Sequence, residues 1–335
     1  MKISHLLPFL TIFPIVLATL GCARESAPPI GPQFGANSDF KFLKTYEDLI
    51  VGYAQLGAES EWRAANTISI KETAEHLGVE LRFLDAQQKQ ENQIEAVRKL
   101  IIQRVDVIGI SPIVETGWED VFREAKAAGI PIILVDRRAA IPEDLYVSYL
   151  GSDFLEEGRR AARILAGLVN GQASIVELVG TIGSAPANDR YSGFREVLNA
   201  YPGMHIIDSE SGDFTRARGK EVMADFLQKY GKSITAVYAH NDDMALGAIQ
   251  AIEEYGLRPG ENIKIVSVDA ARGAFEAMIA GKLNATVECN PLLGPQFFDL
   301  ALKVVNGRPV PKWVPSFESV FFPEDAVDIL PTRKY

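Results

Sequence analysis

Short apolar runs alternate along this chain with longer segments whose apolar residues recur every three or four positions. The run at 49–54 (LIVGYA) is nearly unbroken, the pattern of a strand covered on both faces of a parallel sheet. Ser60 then offers an N-cap for a predicted helix over Glu61–Leu77, which stops at Gly78. The same alternation predicts strands at 79–84, 107–110, 132–135 and 146–150, with helices at 91–104 and 118–128. In the first of these helices Ile94, Val97, Ile101 and Val105 stand at helical spacing. A long helix follows Gly151-Ser152-Asp153 to about Val169, and the pattern then restarts. Strands are predicted at 174–179, 205–208, 235–239, 263–268 and 285–288, and helices at 190–200, 215–230, 244–255, 273–280 and 294–306. Pro-interrupted extended segments close the chain.

Strands alternating with helices give an α/β fold with parallel sheets. The first strand–helix–strand–helix–strand unit spans about 62 residues from Leu49, and the corresponding unit spans about 66 from Ser174. Two similar doubly wound lobes follow from that repetition.

The N-terminal segment does not belong to this alternation. Lys2, the mainly apolar run 6–20 and Gly21-Cys22 compose a secretory signal over residues 1–22. The run is short for a spanning helix of about 20 residues, and Pro8 and Pro14 interrupt it. Cys22 stands where bacterial lipoproteins are acylated, so the alternatives are lipidation at Cys22, ordinary cleavage near Ala23 or Ala27, and an uncleaved anchor. Residues 23–39, rich in Pro, Gly, Ser and Ala, form a tether. If Cys22 is lipidated or removed, Cys289 is left without a partner for a disulfide, and a large core must hold the exported body together. The net charge of −10 and the absence of a basic cluster argue against nucleic-acid binding.

In open parallel sheets, ligands bind beyond the carboxyl ends of the strands. Polar residues fall there in series: Gln55 and Glu59, Asp85 and Gln87, Ser111, Asp136 and Arg137, Asn241 and Asp242, and Asp269. Each also suits a helix cap or a turn. Asp136-Arg137 is sharper, because an acid and a base directly after a buried strand cannot both be caps. Together they present acceptors and fixed donors to neighbouring hydroxyls of a sugar. Trp62 and Phe214 follow strand ends and suit either stacking on a sugar ring or core packing. Of the four histidines only His240 lies near the presumed cleft, and HExxH, paired CxxC and GxSxG motifs are absent from the sequence. The stretch 180–184 (GTIGS) lacks phosphate-loop spacing and reads as a backbone turn. No catalytic set, metal site or cofactor is expected.

With Asp136-Arg137, NDRYSGF around Arg190, HNDDMALGA and Val268-Asp269, the chain resembles the periplasmic sugar-binding proteins of ABC importers. The resemblance is to the ribose/galactose type, whose core is akin to that of LacI-type repressors. ESEWRAAN, DAQQKQENQI, SPIVETGWE, SGDFTR and YAHNDDMALGAIQAI resemble the galactofuranose-binding branch in particular. The resemblance implies two lobes of the type I periplasmic-binding-protein fold joined by a three-strand hinge near Ser152, Cys289 and Pro315. It divides the body into a first lobe of 40–151 plus 290–315 and a second of 152–289 plus 316–330. It also implies a monosaccharide held by Asp136 and Arg137 from the first lobe and by Arg190, Phe214, Asn241 and Asp269 from the second. After the first strand, where ribose binders carry an Asn followed by aromatics, this chain has Gln55, Glu59, Trp62 and Arg63, which fits the furanose subgroup better. Glu288 stands beside Cys289 where some relatives use a Gln. The implied partners are an ABC permease and, through it, an ATPase. The protein itself is expected to be a monomer outside the cytoplasm, tied to a membrane only by a lipid on Cys22.

Two other readings share these features. A sensory receptor would use the same closure to signal to a membrane kinase or chemoreceptor. An exported sugar-processing enzyme would need an acid, base and nucleophile set that the sequence does not offer. A repressor is disfavoured, since a signal segment stands where a DNA-binding headpiece would be.

Overall fold

The structure is a computed structural model that describes residues 43–335; the signal segment, Cys22 and the whole tether lie outside the described residues. In the first lobe, β1 (Ile50–Gln55), α1 (Glu61–Leu77), β2 (Glu80–Asp85), α2 (Gln90–Ile102), β3 (Val107–Ile110), α3 (Glu119–Ala127), β4 (Ile132–Val135) and β5 (Ser148–Gly151) follow in order. The chain then enters the second lobe. There α4 (Phe154–Leu168), β6 (Gln172–Val179), α5 (Ala185–Leu198), β7 (Gly203–Ser211), α6 (Arg216–Tyr230) and β8 (Ala236–Ala239) build its first part. The second part comprises α7 (Asp242–Glu254), β9 (Lys264–Asp269), α8 (Arg272–Ile279) and β10 (Ala285–Glu288). Helix α9 (Gly294–Val305) and β11 (Trp313–Pro315) return to the first lobe, and β12 (Val320–Phe321) and α10 (Pro323–Ile329) end in the second.

Two six-stranded sheets result, ordered β2-β1-β3-β4-β5-β11 and β7-β6-β8-β9-β10-β12. The same order in both halves is the duplication that the sequence spacing implied. All pairings within the two sheets are parallel except β10 with β12. Strands β3, β4, β5, β8 and β10 are buried at every position, and β3, β4 and β8 accordingly read as unbroken apolar runs. Helices cover both faces of each sheet, with separate apolar clusters on either side. The α/β reading with two doubly wound lobes is borne out.

Three elements differ from expectation. Strand β7 covers Gly203–Ser211, nine residues where four were expected. Helix α5 begins at Ala185, five residues before the expected start. Pro186 occupies its first turn, where a missing N–H costs nothing, and the polar, glycine-bearing stretch before Arg190 disguised it as loop. The C-terminal tail is not wholly extended. Pro323 opens α10, and Asp325 accepts a hydrogen bond from the Phe322 N–H at its start.

Candidate functional site

In each sheet the strand order reverses between the first and third strands of the lobe, and the carboxyl ends of both sheets face a common cleft. The cleft holds a pocket whose empty space, counted with the part open to solvent, is about 280 Å3. Glu59, Trp62, Arg63, Asp136 and Arg137 line it from the first lobe, and Arg190, Phe214, Asn241 and Asp269 from the second. Ser60, Phe154, Pro186 and Cys289 complete the wall. These last four were not anticipated: they carry no charge, and strand-end polarity is the only signal the sequence offers there.

Charge in the cavity is paired almost group by group. Arg63 donates to Asp136 Oδ2 at 2.5 Å and reaches Glu59 Oε1 at 3.3 Å, while Arg137 donates to the same Glu59 oxygen at 3.1 Å and to the Ile113 carbonyl at 3.2 Å. In the second lobe Arg190 donates through Nε to Glu157 at 2.7 Å and through Nη1 to the His240 carbonyl at 2.7 Å. Its Nη2 stands 3.8 Å from Asp269 Oδ1. Burial opposes the charge on Arg63, but Asp136 and Glu59 outweigh it and hold the guanidinium more firmly charged than usual. Burial dominates at Arg137 and brings it down to about 10. Burial also pushes Asp269 well above the ordinary carboxyl range, with Arg190 opposing and Asp242 reinforcing the shift. Glu59 Oε2 and Arg137 Nε are buried without a hydrogen-bond partner in the protein. Such groups are expensive to bury and suit a ligand that supplies hydroxyls.

The backbone aims these side chains. Asp136, Phe214 and Asp269 all hold positive φ, at 64°, 60° and 126°, a conformation that costs non-glycine residues and clusters at binding sites. Tyr149 Oη donates to the Asp136 carbonyl at 2.8 Å and fixes the first of them. Asn241 fixes the second: its Oδ1 caps α7 by accepting from the Met244 N–H at 3.0 Å, and its Nδ2 donates to the Phe214 carbonyl at 3.0 Å. Gly180 lies directly beneath the Phe214 ring, where an added Cβ would fall 1.9 Å from the ring. The guanidinium groups of Arg137 and Arg190, from opposite lobes, approach that ring to 5.3 and 6.0 Å.

The lobes meet around the cavity. Trp62 leaves α1 to join the apolar cluster of the second lobe and donates through Nε1 to the Cys289 carbonyl at 2.6 Å. The Glu61 N–H donates to Asp243 at 2.7 Å, and Arg216 bridges Glu61 and Asp243. Across the opposite rim Asn188 donates to Glu115 at 2.7 Å, and Arg138 pairs with Asp189.

Four expected site residues lie elsewhere. Gln55 is buried beneath α1, where its amide bonds Asn66 and Thr67. Asp85 and Gln87 sit exposed at the end of edge strand β2, Asp85 accepting from the Gln87 N–H. Glu288 points away from the cavity and is held by Arg333, Tyr335 and the Ser319 N–H. Ser111 lies behind Arg63, and Asp242 is consumed by Ser267, Thr286 and the Ala271 N–H. His240 is buried against Glu177, away from the cavity.

A family profile described as "Periplasmic binding protein domain" matches residues 51–309. The chain belongs to that family. Among its relatives is the galactofuranose-binding protein YtfQ of Escherichia coli (strain K12), 45% identical over 291 residues, 85% of this chain and 92% of the relative. Among solved structures is the periplasmic binding component of the arabinose ABC transporter from Shewanella sp. ANA-3, bound to α- and β-L-arabinofuranose. It is 46% identical with a TM-score of 0.83, covering 85% of this chain and 95% of that one. A protein from Mycobacterium smegmatis in complex with β-D-fucofuranose is 50% identical with a TM-score of 0.84, covering 86% and 95%. The resemblance read from the sequence motifs is borne out at the level of family and fold. Periplasmic binding proteins work outside the cytoplasm, and no helix among the described residues is long and apolar enough to cross a membrane.

Proposed function

We propose that this protein is an extracytoplasmic receptor that captures one neutral furanose sugar of the galactofuranose, arabinofuranose or fucofuranose kind and delivers it to an ABC importer. The observation that carries this reading is the pocket between the lobes, in which most of the lining charges already face a partner of opposite sign. Three cations, Arg63, Arg137 and Arg190, face three lining carboxylates, Glu59, Asp136 and Asp269. A sugar acid or sugar phosphate would add uncompensated charge, whereas a neutral polyol finds fixed donors and acceptors. Phe214 and Trp62 supply apolar walls for the ring's C–H faces.

The relatives that bind galactofuranose, arabinofuranose and fucofuranose support the ring form. Sugar bridging the two lobes stabilises the closed arrangement, and that arrangement is what a permease, working with its ATPase, would recognise. The moving bodies are residues 40–151 with 290–315 and 152–289 with 316–330. The receptor acts as a monomer, binds without turning its sugar over, and is exported by its N-terminal segment, with a lipid on Cys22 as its anchor. A thermal-shift screen over neutral monosaccharides, disaccharides, uronates and sugar phosphates tests the reading. Stabilisation grows as ligand exceeds its dissociation constant, by about 2.7 kcal/mol at a hundredfold excess. L-Arabinose, D-galactose and D-fucose should raise the melting temperature and charged sugars should not. A shift with charged sugars alone would overturn it.

A further inference from the structure

Behind the cavity, the three chain segments that pass between the lobes meet at one buried cluster. Ser152, on the first crossing, donates to Glu318 on the third and approaches Cys289 Sγ on the second at 3.4 Å. Ser316, also on the third crossing, lies 3.1 Å from the Ser152 hydroxyl and donates to Glu318 at 2.6 Å. Glu157, one turn into α4, joins them: a Glu157 carboxylate oxygen, the Cys289 sulfur and a Glu318 carboxylate oxygen all lie within 4.8 Å of one another. Burial pushes both carboxyls upward, Glu157 to about 8 against the pull of Arg190.

Glu157 is 1% exposed, and its side chain bonds the side chain of a charged cavity residue, through the 2.7 Å contact from Arg190 Nε. Its other oxygen has no hydrogen-bond partner. Nε on Glu157 and Nη1 on the His240 carbonyl hold the Arg190 fork with Nη2 turned toward Asp269. We infer that Glu157 is a positioning residue that fixes the sugar-side face of Arg190 and ties it to the hinge, so that sugar capture by Arg190 and closure of the lobes are coupled. Glu157 touches no ligand in this scheme. It acts through Arg190, and the inference rests on the proposed sugar site.

Calorimetry and stopped-flow binding with L-arabinose, D-galactose and D-fucose, on the wild type, Glu157→Gln and Glu157→Ala, test it. The alanine variant should bind ~10-fold or more weaker, the loss of one charge-assisted hydrogen bond. The loss should lie in faster dissociation, with association little changed. The glutamine variant keeps an acceptor for Arg190 Nε and should recover part of the loss, to within ~3- to 10-fold of wild type. A purely structural Glu157 would lower the melting temperature and leave affinity within twofold, and that result overturns the inference. Should the alanine variant fail to fold, the glutamine variant decides alone, and affinity within twofold of wild type overturns it. If the wild type itself binds none of the three sugars, the proposed function and this inference fall together. If the wild type binds and the variants bind equally, only the inference falls.

Discussion

Replacing Asp269 with asparagine removes one charge at the centre of the cavity and keeps the side chain's shape. The Asp269 carboxylate is buried, and its ion-pair partner among the described residues, Arg190, stays at 3.8 Å, beyond hydrogen-bond reach. It is therefore free to accept from sugar hydroxyls. A hydrogen bond to a charged group contributes roughly 1.5–3 kcal/mol. With about 1.4 kcal/mol per factor of ten, losing one such bond weakens binding about 10- to 100-fold, and losing two weakens it further. The sugar-free protein should respond in the other direction. Burial holds the folded-state pKa of Asp269 well above the usual carboxyl range. Such a group contributes stability below its unfolded pKa and loses it as pH rises toward the folded one. As pH rises above the unfolded value this shift therefore burdens the empty receptor, and Asp269→Asn should leave the sugar-free melting temperature unchanged or raise it. Titration calorimetry reads the first effect and thermal denaturation across pH 5–9 the second. Wild-type affinity in the variant, or weak binding accompanied by a clearly less stable empty protein, would refute this reasoning.

Gly180→Ala should displace the Phe214 ring, since the new methyl would overlap it. Sugar affinity should fall ~10-fold or more while the fold persists, and near-ultraviolet circular dichroism would register the moved ring. Glu177 accepts from both Arg195 guanidinium nitrogens, from Ser209 and from the His240 ring. Although burial raises its pKa, these bonds bring it down to about 2. Its contribution is thus present above an unfolded pKa near 4.5 and lost as pH falls through 2. Glu177→Gln should cost roughly 3 kcal/mol at pH 7 and flatten the acid limb of a urea-denaturation series. Arg216→Ala removes the Glu61 and Asp243 bridge at the cleft rim. Its arms are partly exposed, so affinity should drop by no more than ~1 kcal/mol, about fivefold, read as faster dissociation in stopped-flow measurements and shrinking with added salt.

Much of the fold is legible because parallel strands covered on both faces must be apolar at every position. The runs at β3, β4 and β8 could not be mistaken, and α1 ends at Gly78 where left-handed backbone favours glycine. The start of α5 was hidden because a proline in a polar stretch reads as a breaker before it reads as a first-turn residue. The site was legible only in part, because strand-end polarity does not say which strand ends face the cleft. Edge strand β2 carries Asp85 and Gln87 to the margin of its sheet, and Glu288 turns toward the C-terminal tail. Gln55 ends a central strand, yet its amide is spent beneath α1. Glu157 left no trace, since an acid in a charged helix segment such as EEGRRAAR looks solvated until the fold buries it. Asn241 suited a ligand contact or a cap, and in the structure it lines the cavity while its side chain caps α7 and holds Phe214.

The central claim is that the cleft binds one neutral furanose-forming sugar through paired buried charges. Titration calorimetry of the purified receptor with L-arabinose, D-galactose and D-fucose tests it most directly. The account predicts one site per chain, filled by at least one of these sugars and lost to below a tenth of its affinity in Asp269→Asn. Absence of binding to all three, or binding unaffected by that substitution, would contradict it.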